Sequence, residues 1–259
     1  MKDLAGKTVL VTGAGRGIGK AIALAFAAEK SRLVITGRTA AALDRVAAEI
    51  DRRDAELMAV TCDVTEKNQV ENLQRQIESR FGAVQILVNN VGIAPAADFL
   101  EMQDSLWEEV MRVNLNAAYN CCKTFLRPMV GARWGRIINI ASTVARVAYP
   151  QIAAYVTSKH ALLGLTRSLA METARSGVTV NAVCPGYVNT ELTRDNARRL
   201  AEKRGGSLEE ALDRLAASCP QRRLIEPEEV AYVTVMLASE RARGITGQAI
   251  QVDGGAVMA

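Results

Sequence analysis

The sequence predicts an α/β fold of the Rossmann type, a doubly wound parallel sheet of about seven strands with helices on both faces. Short apolar runs alternate with longer segments of helical periodicity along the whole chain. The runs do not alternate apolar with polar residues, as strands of a sheet with one solvated face do. Unbroken apolar runs are typical of parallel strands covered on both sides. These runs are residues 8–12, 33–36, 57–61, 86–89, 136–140, 178–183 and 249–252.

The segments between the predicted strands carry apolar residues at helical spacing, so they predict right-handed βαβ crossovers. Because no repeat, low-complexity tract or linker divides the chain, we predict a single domain over residues 1–259. The polar segment 189–220 predicts one or two short helices that form a lid, or a surface excursion without a role. The predicted core helices are residues 19–29, 40–52, 67–81, 107–130, 155–176 and 227–239.

Composition excludes several other classes of protein. Of the 259 residues 49% are hydrophobic and 23% are charged, which is typical of a globular chain and not of collagen, a coiled coil or a disordered protein. The longest wholly apolar run, residues 21–28, has eight residues. A membrane span needs about twenty, so we expect no membrane segment.

Charge and cysteine content exclude two kinds of partner. The net charge of +4 is spread over interleaved residues, with eight basic against nine acidic side chains between positions 191 and 229. A nucleic-acid binder would gather its positive charge on one face, so we expect no nucleic-acid partner. The five cysteines show no CxxC or Cys/His spacing, which predicts no metal site and a reducing, cytoplasmic compartment.

A glycine-rich loop, TGAGRGIG at residues 12–19, follows the first predicted strand and opens the first helix. Glycines allow the tight turn and a close approach of the backbone, and the helix N-terminus presents free N–H groups to a pyrophosphate. The loop therefore predicts a dinucleotide site, the alternative being a tight turn without a ligand. The loop residues expected at the cofactor are Gly13, Arg16, Gly17, Ile18 and Gly19.

The end of the second predicted strand indicates which dinucleotide is bound. An NAD site usually carries Asp or Glu here, to accept a hydrogen bond from the ribose 2′-hydroxyl. This chain has Gly37 and Arg38, and a second arginine, Arg16, lies in the glycine loop. Two guanidinium groups suit the 2′-phosphate, so the sequence favours NADP(H) over NAD(H). Either arginine alone is equally well explained as a helix-cap or solvent residue.

Tyr155 and Lys159 are four residues apart at the start of a predicted helix, so their side chains share one face. A tyrosine with a pKa near 10 is a poor base at neutral pH, and an ammonium about 4 Å away can lower that pKa by about three units. Ser142 lies just beyond the strand 136–140, at the carboxyl end where α/β sheets bind ligands. The spacing alone is common, but in this context it predicts an acid–base pair.

Taken together, these ordered motifs resemble those of the short-chain dehydrogenase/reductase family, in its single-domain form, over almost the whole chain. Residues 12–19 are similar to the family's TGxxxGxG motif, and residues 89–92 (NNVG) to its NNAG motif with Val91 in place of alanine. Residues 252–255 resemble its C-terminal strand and tail. The resemblance implies further cofactor contacts from Asp63 and Val64 at the adenine, from Asn90 and Gly92, and from Pro185, Gly186, Val188 and Thr190 near the nicotinamide carboxamide.

The resemblance also implies a catalytic tetrad of Asn114, Ser142, Tyr155 and Lys159. Tyr155 would exchange a proton with the substrate oxygen, while Lys159 would lower the pKa of Tyr155 and hold the nicotinamide ribose. Ser142 would position the substrate oxygen. Asn114 would hold a water that relays protons toward Lys159.

The residues expected around the substrate are mostly apolar, which predicts a carbonyl compound or secondary alcohol with an alkyl or ring portion. The chain is most similar to bacterial 3-oxoacyl-thioester reductases, polyketide ketoreductases and 3-hydroxybutyrate dehydrogenases. A 3-oxoacyl thioester is therefore the leading substrate, and the homotetramer usual in the family is the expected assembly. The expected substrate contacts are Ser142, Val144, Gln151, Ile152, Tyr155 and Tyr187.

Two other functions remain open at this point. An NAD-dependent dehydrogenase of a 3-hydroxy acid, or of a cyclic or steroid-like alcohol, would use the same four catalytic residues. A non-catalytic protein that senses NADP(H) would need the glycine loop and not the tetrad, so the intact tetrad counts against it.

Overall fold

One parallel sheet organises the molecule. The structure, a computed structural model, describes residues 2–51 and 55–258. The strands of the sheet are β1 (Thr8–Thr12), β2 (Arg32–Gly37), β3 (Leu57–Thr61), β4 (Ile86–Asn89), β5 (Gly135–Ile140), β6 (Val178–Pro185) and β7 (Ala249–Val252). Their spatial order is β3-β2-β1-β4-β5-β6-β7, and every neighbouring pair is parallel. The order reverses between β1 and β4, and at such a switch point a crevice opens beyond the carboxyl ends of the strands.

Helices cover both faces of this sheet. On one face lie α1 (Gly17–Ala28), α2 (Ala40–Asp51) and α9 (Pro227–Ala238). On the other face lie α3 (Lys67–Phe81), α5 (Ala117–Gly131) and α6 (Ala153–Thr173). The remaining α-helices of the described residues are α4 (Asp104–Met111), α7 (Glu191–Arg204) and α8 (Leu208–Ala217). None of the helices in residues 2–51 and 55–258 has the length and apolar character to cross a membrane.

The central strands are buried on both faces, as their unbroken apolar runs predict. Val9 and Val11 of β1 are fully buried against the layer that contains α1, and Leu10 is fully buried against the layer that contains α3. Side chains of successive strand residues point to opposite faces, so a strand covered on both sides needs apolar residues throughout. The predicted Rossmann-type fold is therefore confirmed.

One predicted helix is wrong as a single element. The segment 107–130 is divided into α4, a π-helical turn over Arg112–Asn116, and α5. Most other predicted helix ends differ by one to three residues, the usual uncertainty of helix termini. The predicted helix 40–52 is found as α2, and its final position, Arg52, lies outside the described residues. The segment 189–220 contains α7 and α8, and its role as a lid stays a prediction.

A buried arginine stabilises the amino end of β5, on the side of the sheet away from the crevice. Arg136 at the start of β5 is 1% exposed, and its guanidinium donates hydrogen bonds to the carbonyl oxygens of Gly135 and Gly177. It also lies 4.5 Å above the Trp134 ring. Its ionic partner is Glu240, with Nη2 and Oε2 2.9 Å apart, and the same oxygen accepts a hydrogen bond from Trp134 Nε1 at 3.0 Å. The Glu240 carboxylate therefore neutralises the buried charge of Arg136 and accepts the hydrogen bond of the Trp134 indole.

Glu240→Ala is expected to lower the free energy of unfolding by about 1–2 kcal/mol, because it removes the carboxylate paired with the buried Arg136 and leaves only the weaker charge interaction with Asp3. The loss stays below that of a fully buried pair because the Glu240 side chain is 46% exposed. Urea denaturation measures the change. The control is Glu71→Ala, which removes an exposed carboxylate 3.6 Å from Lys67 Nζ and should cost less than about 0.5 kcal/mol. Equal losses in the two variants would contradict this account of Arg136.

Candidate active site

A cleft of about 300 Å³ opens beyond the carboxyl ends of the strands, at the switch point between β1 and β4. The glycine loop, the ends of β2, β3 and β4, one face of α6 and the first turn of α7 form its walls. Many of the predicted cofactor residues are thus brought together in one cavity. They are Gly13, Arg16, Gly17, Ile18, Arg38, Asp63, Val64, Asn90, Gly92, Tyr155, Lys159 and Thr190.

The glycine loop keeps its shape through backbone conformations that side chains disfavour. Gly13 and Gly17 have φ values of +65° and +53°, in the left-handed region that glycine adopts without strain. Gly19 does not line the cleft; a Cβ on Gly19 would stand 2.3 Å from the carbonyl oxygen of Gly13. This third glycine therefore lets α1 pack closely against the loop, and the first turn of α1 can then point its free N–H groups into the cleft.

Asn90 ties the end of β4 to the glycine loop. Its Nδ2 donates hydrogen bonds to the carbonyl oxygens of Thr12 and Gly13, at 3.1 and 3.2 Å. Its backbone N–H donates to Thr12 Oγ1 at 3.0 Å. The side chain predicted at the cofactor therefore fixes the backbone that a pyrophosphate would meet.

Acidic and basic groups lie together at the β2–β3 end of the cleft. Burial would raise the pKa of Asp63, but hydrogen bonds from the Thr65 backbone N–H and hydroxyl and the charges of Arg38 and Arg112 outweigh it, so the pKa lies below its usual value. Arg38 is solvent-exposed at the end of β2. Asp63 is therefore an anion held near Arg38, at the end of the cleft where the sequence places the adenosine.

On the wall formed by the glycine loop, Arg16 forms an ion pair that the sequence did not indicate. Arg16 Nη1 lies 2.6 Å from Oε2 of Glu191, the first residue of α7. Just before it, Thr190 caps α7 through its hydroxyl, which accepts a hydrogen bond from the Thr193 backbone N–H at 3.4 Å. The start of α7 therefore contacts the glycine loop through a charged side chain.

The π-helical turn positions Asn114. This side chain is 1% exposed, and its Oδ1 accepts a hydrogen bond from the Ile93 backbone N–H at 2.8 Å. Its Nδ2 donates to the Ile93 carbonyl oxygen at 2.9 Å and to Ser158 Oγ at 3.0 Å. Both amide hydrogens are thus donated to protein atoms, and the carboxamide holds the loop after β4 against α6. A mid-helix π turn that carries a polar residue is a common feature of functional sites.

Tyr155 and Lys159 line the cleft, and Ser142, which does not line it, forms a side-chain hydrogen bond with Tyr155. Lys159 is 4% exposed, and its Nζ donates a hydrogen bond to the Ile140 carbonyl oxygen at 2.9 Å. Burial lowers the pKa of Lys159 to about 8, with a smaller opposing influence from Cys184. The Nζ atom lies 5.8 Å from the centre of the Tyr155 ring, as side chains one helical turn apart allow.

The pKa of Tyr155 differs in direction from the sequence-based expectation. Burial raises it above 10, and the opposing influence is a hydrogen bond with the Ser142 side chain. The physical reason is that removing water from around a phenolate outweighs the hydrogen bond with Ser142, while the Lys159 ammonium is directed to the Ile140 carbonyl oxygen. A nearby cation is therefore not enough by itself to make Tyr155 a strong base.

The other residues predicted at the nicotinamide and the substrate lie around this centre and do not line the cleft itself. Pro185 ends β6 and Gly186 follows it, where a Cβ on Gly186 would stand 3.0 Å from the Cβ of Asp253. Gln151 has a φ of +68°, and its Nε2 donates a hydrogen bond to Asp98 Oδ1 at 2.9 Å. Val188 and Val144 are buried, Ile152 is half-buried, and Tyr187 is exposed.

Comparison with known proteins decides the family. A family model described as enoyl-(acyl carrier protein) reductase matches residues 13–257. A D-beta-hydroxybutyrate dehydrogenase of Cupriavidus necator is 37% identical over 255 residues, which cover 97% of this chain and 98% of the relative. A 3-oxoacyl-[acyl-carrier-protein] reductase of Pseudomonas aeruginosa is 37% identical over 256 residues, 99% of each chain. The chain belongs to the short-chain dehydrogenase/reductase family.

A solved structure gives the same answer for the fold. A variant of actinorhodin polyketide ketoreductase, crystallised with NADPH, superposes with a TM-score of 0.94 at 36% identity, covering 96% of this chain and 97% of that one. This short-chain dehydrogenase/reductase is therefore an oxidoreductase that interconverts an alcohol and a carbonyl with a nicotinamide cofactor.

Sequence reasoning missed several cleft residues of this oxidoreductase. Glu191 and Leu192 of α7 line the cleft, as do Cys62 and Ile93. The position of Glu191 directly after Thr190 was an available signal, but in a polar segment a carboxylate is usually a solvated surface residue. Cys62 and Ile93 carry no charge pattern that separates them from core residues.

Proposed function

We propose that this enzyme reduces a 3-oxoacyl thioester or a related ketone, and that it prefers NADP(H) to NAD(H). The observation that carries the cofactor preference is the pair Arg16 and Arg38 on the walls of one cleft, with Gly37 in place of an acidic residue at the end of β2. The relatives named as 3-oxoacyl reductases and the ketoreductase crystallised with NADPH support the direction of reaction.

The described residues fit such a cofactor. The cleft has two guanidinium groups for a phosphate, a glycine loop with backbone free of Cβ atoms at Gly13 and Gly17, and a buried lysine beside a tyrosine at the far end. Asp63 and Val64 would lie at the adenine, and Lys159 at the ribose of the nicotinamide. When bound, the cofactor supplies a hydride to the substrate carbon.

The chain's own residues perform the rest of the proposed reaction. Tyr155 donates its hydroxyl proton to the substrate oxygen as that oxygen becomes an alkoxide, a role that suits a phenol kept protonated by burial. Ser142, hydrogen-bonded to Tyr155, orients the same oxygen. Lys159 compensates the charge left on Tyr155, and Asn114 holds the loop after β4 in place.

The substrate-facing rim supports an acyl chain or ring as the remainder of the substrate. Val144 and Ile152 are apolar, and Tyr187 is exposed beside Tyr149; burial of part of its ring and the neighbouring Tyr149 raise the pKa of Tyr187. In our proposal these side chains contact the substrate, Gln151 lines the entrance, and Pro185, Gly186, Val188 and Thr190 bind the nicotinamide side of the cofactor. The helices α7 and α8 serve as the lid.

Arg38→Asp is expected to raise the Kd for NADPH about tenfold or more, because a guanidinium–phosphate contact is replaced by a carboxylate repulsion. The Kd for NADH should stay within about twofold or fall, since the new carboxylate can accept a hydrogen bond from the ribose 2′-hydroxyl. Calorimetric titration measures both constants. The control is Arg45→Asp on the exposed face of α2, which changes the net charge equally and should leave both constants unaltered. An unchanged NADPH constant in the Arg38 variant would refute the assignment.

A second candidate is an NAD-dependent dehydrogenase of a 3-hydroxy acid. The observation in its favour is the Cupriavidus necator relative, a D-beta-hydroxybutyrate dehydrogenase that is 37% identical. In that reaction Tyr155 would accept the hydroxyl proton. A wild-type protein that binds NADH as tightly as NADPH would favour this candidate over the reduction.

We also propose a homotetramer in a reducing compartment such as the cytoplasm. Tyr119 on α5 is 49% exposed and Met171 on α6 is 79% exposed, and large side chains of this kind suit a contact between copies. The five cysteines are all free and buried, which agrees with a reducing environment. A molar mass from light scattering distinguishes a tetramer from a monomer.

A further inference from the structure

The ion pair between Arg16 and Glu191 connects two walls of the cofactor cleft that are distant in the sequence. Arg16 belongs to the glycine loop, and Glu191 opens α7, 175 residues later. Nη1 and Oε2 are 2.6 Å apart, and the two side chains are 69% and 61% exposed. Both residues line the cleft, so their charges face the space that a dinucleotide would occupy.

The surrounding contacts hold these charges opposite one another. A Cβ on Gly17 would lie 3.3 Å from Thr190 Cγ2, so the backbone before α7 is already close to the glycine loop. Thr190 caps α7, and Glu191 follows in the first helical turn, where a carboxylate is stabilised by the helix dipole. The Glu191 carboxylate is therefore set at the glycine loop by backbone geometry and reaches Arg16 from there.

The same Arg16 guanidinium is assigned to the 2′-phosphate in the proposed function. A guanidinium matches a carboxylate or a phosphate, and two anions drawn to the same guanidinium repel each other, so the carboxylate and the 2′-phosphate compete for Arg16. NAD(H) has a hydroxyl in place of the 2′-phosphate and brings no competitor. The ion pair thus opposes the binding of NADP(H) and leaves the binding of NAD(H) unaffected.

We propose that Glu191 is a specificity-determining residue, which occupies Arg16 and is displaced by the 2′-phosphate of NADP(H), so that it moderates the preference for NADP(H) over NAD(H). This inference rests on the proposed cofactor preference. An exposed ion pair of this kind contributes little free energy, so its removal should change the NADPH constant only about two- to fivefold. Arg16 itself contributes more, because it binds the phosphate directly.

The test is a double-mutant cycle of dissociation constants for NADPH and NADH, measured by calorimetry on the full chain. Glu191→Gln keeps the shape of the side chain and removes its charge; it should lower the Kd for NADPH about two- to fivefold and leave that for NADH within about 1.5-fold. Arg16→Gln should raise the Kd for NADPH about tenfold or more. In the Arg16→Gln background, Glu191→Gln should have no further effect, because the competition has been removed.

A matched control separates competition from general repulsion. Glu209→Gln removes the same charge from α8, at a position that does not line the cleft, and should leave the NADPH constant unchanged. The inference is overturned if Glu191→Gln leaves the NADPH constant unchanged, or if it strengthens NADPH binding equally with and without Arg16. Wild-type protein that does not prefer NADPH overturns the proposed cofactor preference, and this inference with it. If the wild-type protein prefers NADPH but the double-mutant cycle shows no coupling between Arg16 and Glu191, only this inference is overturned.

Discussion

Tyr155→Phe is expected to lower kcat about a thousandfold while leaving the Kd for NADPH within about twofold. The substitution removes one oxygen and keeps the ring, so the wall of the cleft is preserved. What is lost is the proton donor to the substrate oxygen, and positioned acid–base groups typically contribute between about a hundred- and ten-thousandfold to the rate. The hydrogen bond with Ser142 is lost as well, and Ser142 alone cannot replace the proton donor at neutral pH.

Initial rates with saturating NADPH, together with calorimetric titration of the cofactor, measure the effect of Tyr155→Phe. The control is Tyr232→Phe on α9, whose side chain is 68% exposed and which should retain the full rate. A Tyr155 variant with a rate within tenfold of wild type would contradict the acid–base role. A variant that loses NADPH binding to the same extent as its rate would instead assign Tyr155 to the cofactor.

Lys159→Met is expected to give a protein that is more stable at pH 7 and at least a hundredfold slower. Burial lowers the pKa of Lys159 from 10.5 to about 8, so the folded protein carries a buried ammonium at neutral pH at a cost in free energy. Methionine removes that charge at nearly equal volume. After the lost hydrogen bond to Ile140 is subtracted, the gain in unfolding free energy should be about 2 kcal/mol.

The pH dependence of this gain has a definite sign. Below pH 8 both the folded and the unfolded wild type hold the proton, and the penalty is fully present. Between pH 8 and 10.5 the unfolded chain binds more protons than the folded one, so the stability of the wild type rises with pH and approaches that of the variant. The advantage of Lys159→Met should therefore shrink across that window.

Urea denaturation at pH 7 and pH 10 measures this behaviour, with initial rates taken on the same preparations. The control is Lys123→Met on the exposed face of α5, which should show neither the gain nor its pH dependence. Lys159→Met that is less stable than wild type at pH 7 would mean that the lysine is retained for the fold. A variant with the expected gain would mean that the lysine is retained for function.

The sheet and its cleft were predictable because each rests on a local pattern. Strands buried on both faces need unbroken apolar runs. The glycine loop has positive φ at positions 13 and 17, which glycine adopts without strain. These requirements act over a few residues and are therefore visible in the sequence. The side chains proposed to be catalytic were identified by their order in motifs that resemble those of a family.

The features that escaped prediction depend on contacts between distant segments. The π turn that divides α4 from α5 is accompanied by two hydrogen bonds between Asn114 and Ile93 in the loop after β4, which helical periodicity does not reveal. The pairing of Glu191 with Arg16 spans 175 residues. The pKa of Tyr155 is raised because burial outweighs its hydrogen bond with Ser142, and burial is a property of the whole fold.

The most direct test of the proposed function is the rate at which the wild-type protein consumes NADPH when acetoacetyl-CoA, a 3-oxoacyl thioester, is added. We expect consumption of NADPH matched one for one by a 3-hydroxyacyl thioester, at a rate about tenfold or more above that with NADH, and we expect Tyr155→Phe to abolish it. No reduction of this thioester or of its simple ketone analogues, together with formation of NADH from NAD and a 3-hydroxy acid, would contradict the proposal and establish the oxidising alternative.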